Sequence, residues 1–180
     1  MVLLRDMLES DIEDYVRWFT VETEWTQWDA PWEPVETDEE RERDHWTAFF
    51  HKKRGLDDKA LRKRFEIELD GVHIGWVCWY TDLGYMENPD QRPVLGINIP
   101  AADNRSRGIG SEAVLKFIEY LRSQGYHAFY TQTWSGNKPM IRVAEKLGFR
   151  EVCRVENYRQ VRGLPYDAVT WELKYEEGQE

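Results

Sequence analysis

The chain has 180 residues, 41% of them hydrophobic and 14% aromatic, with a formal net charge of −10. That length suits one domain with a real core, and the acidic balance speaks against a nucleic-acid partner, because such binding depends on Lys and Arg neutralising phosphates. The apolar stretches, such as Ile74 to Tyr80, fall far short of the roughly 20 residues of a membrane helix, and the charged start Met1-Val2-Leu3-Leu4-Arg5-Asp6 is unlike a secretory signal, so a cytoplasmic protein without a membrane partner is expected.

Ser10-Asp11-Ile12-Glu13 has the form of a capping box, and Ile12, Tyr15, Val16 and Phe19 keep helical spacing, so a first helix is predicted to about Thr20. Trp25 to Pro34 holds three tryptophans and two prolines, too broken for a regular helix and too aromatic for a disordered linker. Thr37, with Glu40 three residues on, is predicted to cap a second helix reaching about Lys53.

Phe65, Ile67 and Leu69 alternate with Glu66 and Glu68 as a half-exposed strand whose carboxylates are expected in solvent, or, for one of them, as a base acting directly or through water. Asp70-Gly71 marks a hairpin, Val72 to Tyr80 returns, and Pro93 to Ile99 forms another strand stopped by Pro100. A helix from Gly108 to about Gln124 carries Ala113, Val114, Phe117, Ile118 and Leu121 on one face, and Gly125 ends it. Ala128 to Trp134 reads as a strand, Pro139 to Leu147 as a helix opened by Asn137 and stopped by Gly148. Glu151 to Val161 and Ala168 to Tyr175 read as strands joined by Gly163-Leu164-Pro165. The order β-α-α-β-β-β-α-β-α-β-β predicts a mixed sheet with helices on both faces. Cys78 and Cys153 lie in separate hydrophobic segments, and His45, His51, His73 and His127 are scattered, so neither a disulfide framework nor a metal site is expected.

The chemistry concentrates in Arg105-Ser106-Arg107-Gly108-Ile109-Gly110-Ser111, which follows a strand and opens a helix. Free backbone amides at a helix N-terminus, beside glycines that admit close approach, suit a phosphate group. The same pattern also occurs in ordinary turns. Arg105-x-x-Gly108-x-Gly110 resembles the pyrophosphate signature of GNAT acyltransferases, and Asn137 to Phe149, ending Glu145-Lys146-Leu147-Gly148-Phe149, is similar to that family's second signature. The whole chain to about Tyr175 can be laid on the family's fold in order. Its closing segment resembles the branch with ribosomal-protein N-terminal and small-molecule acetyltransferases.

The resemblance implies a mixed α/β fold: a mostly antiparallel sheet of about seven strands, splayed into a V between the fourth and fifth. One GNAT domain would span residues 1–180, with acceptor-side helices and loop over about 10–54 and an acetyl-CoA-binding core over about 93–150. Arg105, Arg107, Gly108, Ile109, Gly110 and Ser111 would hold the CoA pyrophosphate. Backbone amides from Ile97 through Asn98 to Ile99 would face the acetyl carbonyl and stabilise its developing charge. Asn137 would hydrogen-bond the cofactor, and Arg142 and Lys146 would either approach the adenosine 3′-phosphate or form a solvated face of the helix. Two positions depart from the family. A tyrosine that many relatives use to protonate the leaving thiolate is Ala144 here, and a serine common in the ribosomal-protein branch is Met140. Ser135, Tyr130 and Tyr158 are the local substitutes, or the sulfur leaves as thiolate.

On the acceptor side, Trp28, Asp29, Trp32 and Glu33 can form an aromatic and acidic cup for an ammonium group, or the tryptophans can simply pack the loop onto the sheet. Trp76, Trp79 and Trp134 are expected in the core. The implied activity is transfer of an acetyl group from acetyl-CoA to a primary amine, small molecule or peptide N-terminus, by a monomer or homodimer without metal. A non-catalytic acyl-CoA-binding protein on the same fold is the alternative.

Overall fold

The computed structural model describes residues 1–35, 38–55, 57 and 59–176. Seven strands form one sheet in the order β1-β2-β3-β4-β5-β7-β6: β1 Val2–Arg5, β2 Arg64–Leu69, β3 Val72–Tyr80, β4 Val94–Asn98, β5 Ala128–Trp134, β6 Arg150–Val161 and β7 Leu164–Lys174. Every neighbouring pair is antiparallel except β4–β5. The helices are α1 Asp11–Thr20, α2 Thr26–Asp29, α3 Glu39–Lys53, α4 Ile109–Ser123 and α5 Lys138–Lys146.

Strand alternation divides the sheet between two cores. On one face Val77, Trp79, Leu95, Phe129 and Val169 pack under Ala113, Val114, Phe117, Ile118 and Leu121 of α4 and Ala144 of α5. On the other, Trp76 meets Ile12, Tyr15, Val16 and Trp18 of α1 and Trp46 and Phe50 of α3. Helices cover both faces, as the sequence order implied. At β3, Gly75 admits no side chain: a Cβ there would lie 2.1 Å from the carbonyl oxygen of Asn98. The glycine lets β3 close against the end of β4.

Four expectations need correction. Ser10 does not cap α1; it already has helical dihedrals and its side chain bonds no helix amide. Asp11, the first helical residue, instead accepts from the Leu8 amide ahead of the helix at 2.8 Å, while Arg5 of β1 holds its carboxylate at 2.6 Å. The tryptophan-rich segment is not wholly irregular, since a 3₁₀ turn over Thr23–Trp25 runs into the single turn of α2. Thr37 lies outside the described residues, and the Asp38 side chain accepts from the Arg41 amide at the start of α3. In the last hairpin the turn is Arg162-Gly163, both at positive φ, so Leu164 and Pro165 already belong to β7. Pro165 is tolerated because β5 pairs β7 only over Ala168–Lys174, leaving the proline nitrogen no ladder partner to disappoint.

Candidate active site

β4 and β5 are joined at one register pair, Val94 with Tyr130, and then diverge. Two contacts show which edge of β4 faces the gap: the Tyr130 amide donates to Pro93 O at 2.8 Å and the Thr131 hydroxyl to Leu95 O at 2.9 Å. Because backbone groups alternate sides along a strand, Ile97 and then Ile99 turn the same edge into the opening. Asn98 does not: its carbonyl faces Gly75 of β3. Of the backbone groups expected to stabilise an oxyanion, those of Ile97 and Ile99 therefore turn into the gap, and Asn98 offers its side chain alone. The widening gap opens into a cavity of about 720 Å³.

One wall is the start of α4. Gly108 precedes the helix at φ +84°, a left-handed conformation suited to glycine, and no side chain caps the helix. The first helical backbone bond runs from Glu112 N to Gly108 O, so the amides of Ile109, Gly110 and Ser111 have no acceptor within the helix. Arg105, Gly108, Gly110 and Ser111 line the cavity, whereas Arg107 is exposed and the Ile109 side chain is buried beneath α4. The Arg105 guanidinium pairs with Glu24 and reaches Pro100 O at 3.3 Å. From α5, Asn137 is buried and its side-chain oxygen caps the helix at Met140 N, leaving its amide nitrogen as the remaining donor. Arg142 and Lys146 stand exposed at the rim. The two positions that depart from the family separate: Met140 lines the cavity, but Ala144 is buried in the core.

The opposite wall is the segment around α2, drawn across the sheet by polar ties. Trp25 is buried and donates to Trp18 O at 2.9 Å; the Trp134 indole donates to Trp28 O at 2.8 Å; Trp32 stands edge-to-face with Trp134 at 6.4 Å. The tryptophans thus split between the two uses expected of them. Trp25 packs the segment down, while Trp28 and Trp32 also line the cavity with Asp29. Glu33 is exposed and does not line it. Water reaches Asp29, yet protein crowds its carboxyl, and this desolvation, with the nearby Glu33 charge, raises its pKa. Burial likewise raises the thiol of Cys78 and the phenol of Tyr80, both beside the cavity, so neither is an anionic nucleophile near neutrality.

Ser135 is not at the cavity; its hydroxyl accepts from Asp167 N at 3.0 Å and ties β5 to β7. Tyr130 is also off it, buried with Leu83 and Val94. Tyr158 does line it, half-exposed. The lining residues that escaped sequence reasoning include Trp25 as a liner, Tyr80, Tyr85 and Arg159. The last depends on a bulge in β6 that strand periodicity cannot reveal.

Glu66 corrects the picture of a solvated β2 face. It is 1% exposed, accepts from the Tyr15 hydroxyl, and meets His73 Nε2 at 3.1 Å and Arg64 at 3.2 Å. His73 Nδ1 lies 3.0 Å from Asp14 and 3.4 Å from Asp11. Desolvation opposes the imidazolium, but the hydrogen bonds to Asp14 and Glu66 outweigh it and lift the His73 pKa to about 9. Asp11, Asp14 and His73 bring ligand-type atoms within 4.8 Å, but both ring nitrogens already face carboxylates, and the cluster is an ion-pair network centred on a cation. Among the described residues no helix is long and apolar enough to cross a membrane.

Comparison with known proteins accords with this geometry. The family model described as an acetyltransferase (GNAT) domain matches residues 2–150. An uncharacterized N-acetyltransferase of Methanocaldococcus jannaschii is 33% identical over 102 residues, covering 52% of this chain and 43% of that relative, so the match spans less than half the relative's length. Among solved structures, a putative acetyltransferase from Salmonella typhimurium with acetyl-CoA superposes with a TM-score of 0.71 at 16% identity, covering 100% of this chain and 97% of that one. A ribosomal L7/L12 α-N-protein acetyltransferase in complex with coenzyme A gives 0.72 at 16% identity, covering 96% and 93%. At such identities the likeness establishes the fold.

Proposed function

The chain belongs to the GNAT acetyltransferase family, and from that premise we propose that it transfers the acetyl group of acetyl-CoA to a primary amine, directly, with both substrates bound. The observation that carries this reading is the splayed gap: one open strand edge at Ile97 and Ile99, a helix with unsatisfied amides at one end, and the carboxylate of Asp29, which pairs with no cation among the described residues, lining the same cavity. These residues fit acetyl-CoA. Gly108 has no side chain to block approach to the α4 amides, and nothing within 3.7 Å of a Cβ built there belongs to the backbone. Residues about 93–150 would form the cofactor core, and residues about 10–54 the acceptor side.

Bound acetyl-CoA would supply the activated thioester. Asp29 would hold the acceptor's ammonium and then take its proton, directly or through water; its raised pKa brings it closer to the amine's than an ordinary carboxylate. The amine nitrogen forms the new bond to the carbonyl carbon as the carbon–sulfur bond breaks, and the sulfur keeps the electron pair. The Ile97 amide would donate to the carbonyl oxygen as charge gathers there. With Met140 and Ala144 unable to donate a proton, and Ser135 engaged by Asp167, Tyr158 is the remaining hydroxyl among the expected acids. A thiol of pKa near 8.5 also leaves passably as thiolate. Thiol release from acetyl-CoA across a panel of amines tests the reading. Turnover of at least one amine is expected; acetyl-CoA binding without turnover of any would leave a binding protein instead.

A further inference from the structure

The cavity's acceptor half contains a charge that a simple amine would leave without a task. Arg159 lines it, stacked 4.6 Å from the ring centre of Trp32 and 4.8 Å from that of Tyr158. No carboxylate among the described residues pairs with this guanidinium, although the chain has a net charge of −10 and carboxylates are abundant. The other cations of the cavity, Arg105, Arg142 and Lys146, come from the α4 and α5 side. Arg159 does not. Its register partner Tyr166 stands edge-to-face with Trp134 at 4.8 Å, and Trp134 in turn binds Trp28. Arg159 therefore shares the sheet face of Asp29 and the tryptophans.

Its placement is built. Between the pairs Val155–Ala168 and Arg159–Tyr166, three residues of β6, Glu156 to Tyr158, stand against the single Asp167 of β7. Asn157 takes φ +53° within this bulge, and Asp167 fastens it, accepting from Asn157 N at 3.1 Å and pairing with Arg154 at 2.6 Å. Without the two extra residues, Asn157 would occupy the position opposite Tyr166. Bulges beside active sites commonly re-aim a side chain in this way. An arginine held over two aromatic rings is restricted in its rotamers and can meet a planar anion edge-on, through two parallel N–H donors.

We propose that Arg159 is the anion receptor of the acceptor site, so that the acetyl acceptor is a primary amine carrying a nearby carboxylate, of the α-amino-acid class, rather than a polycation. This rests on the reading of the cavity as an acetyltransferase site. The ammonium sits toward Asp29 and the carboxylate toward Arg159, with Trp28 and Trp32 flanking the body of the molecule.

The test uses the full chain with matched substrates: α-amino acids, their C-terminal amides and their decarboxylated amines, with a further arm of dipeptide amides bearing Asp or Glu at the second position. Wild type is expected to favour the carboxylate-bearing member of each pair by about 10- to 100-fold in kcat/KM, the usual worth of a charge-assisted bidentate contact. In Arg159→Gln that ratio is expected to fall toward about 1, and Arg159→Lys to restore part of it, while KM for acetyl-CoA stays near wild type. Preference in the free amino-acid arm identifies a small-molecule acceptor; preference confined to the dipeptide arm identifies an acidic peptide N-terminus, with the same role for Arg159. Turnover with the decarboxylated amines equal or better, and a ratio untouched by Arg159→Gln, overturns the proposal and leaves the acetyltransferase reading standing. No turnover of any member overturns both.

Discussion

On the sheet face under α4 and α5 the packing is largely aliphatic, with Val114, Ile118, Leu121, Leu95 and Val169 in contact, and the adjoining site is made from backbone: a helix start and an open strand edge. On the face under α1 and α3 the core is aromatic, with Tyr15, Trp18, Trp25, Trp46 and Trp76 packed around a buried ionic network. The adjoining site there is made from side chains on a strap and a bulge. The difference teaches where specificity resides. A backbone site reads groups that every residue has, so it suits a constant ligand and tolerates variation around it. A side-chain site changes with each substitution, and it suits the partner that differs from one protein to the next.

Breaking the side-chain half at Asp29, the proposed proton acceptor, should give the largest effect. Asp29→Asn keeps the size and removes the base, so kcat is expected to fall by about 10²- to 10⁴-fold. The wild-type rate should drop as pH falls through the raised Asp29 pKa, because the carboxylate must be ionised to accept a proton, and the variant should lose that acid limb. A variant with wild-type kcat and an unchanged profile would remove Asp29 from the chemistry. Breaking the backbone half should separate cleanly from this. Gly108→Asp places a carboxylate at the α4 start, where phosphates are expected, and is expected to weaken acetyl-CoA binding by about 10²-fold or more and abolish its thermal stabilisation. Equal thermal shifts in variant and wild type would rule out that loop as the phosphate site.

The same contrast explains what was legible in the sequence. Gly108, Gly110, Asn137 and the Gly148 stop announce a backbone site, because glycine and helix-capping residues have few other uses in that pattern. The apolar face of α4 and the Asp70-Gly71 hairpin were equally readable, since local periodicity and turn chemistry decide them. Arg159 was not. Its position depends on two inserted residues in β6 and on Asp167 across the hairpin, and a period-2 reading carries no trace of either. Glu66 alternates as a surface residue should, but His73, Tyr15 and Arg64 reach it from elsewhere and bury it. Ser10 fails as a cap because it already has helical dihedrals, while Asp11 beside it is held by Arg5 from a strand, a contact that local spacing does not announce.

The ionic network sharpens the comparison further, because its imidazole can be titrated. His73 has a folded pKa of about 9 against 6.5 for the free side chain, so its contribution is fully present below about pH 6.5 and is lost as pH rises through 9. The difference corresponds to about 3 kcal/mol. Asp14 works in the opposite direction, its lowered pKa contributing above the ordinary 3.8 and failing only in acid, outside that window. Denaturant unfolding is expected to show wild-type stability declining between about pH 6.5 and 9 by roughly this amount. His73→Gln should be less stable than wild type near pH 6, with the gap narrowing in alkali. A wild-type stability that is flat across the window would mean that the imidazole is neutral in the folded protein.

The smallest effect concerns the point where the two halves touch. Glu24, on the strap around α2, pairs with Arg105, on the loop before α4, and its pKa is lowered chiefly by that bond. If Arg105 also serves the pyrophosphate, the phosphate must compete with this carboxylate, and binding of acetyl-CoA is weakened by whatever the pair is worth. The Glu24 side chain is 61% exposed, so the pair belongs with surface salt bridges, worth about 0.2–1 kcal/mol. Glu24→Gln removes the charge but keeps an oxygen for the Trp28 indole, which now donates to it at 3.1 Å, so the strap should stay in place. The variant is expected to bind acetyl-CoA about 2- to 5-fold more tightly at low salt, as measured by calorimetry, with the gain shrinking as salt screens the pair. KM for the amine should move little, since Asp29, Trp28 and Trp32 are untouched. Equal or weaker acetyl-CoA binding in Glu24→Gln would show that Arg105 serves the strap and not the phosphates, and the charge for them would then have to come from Arg107 or from Arg142 and Lys146 at the rim.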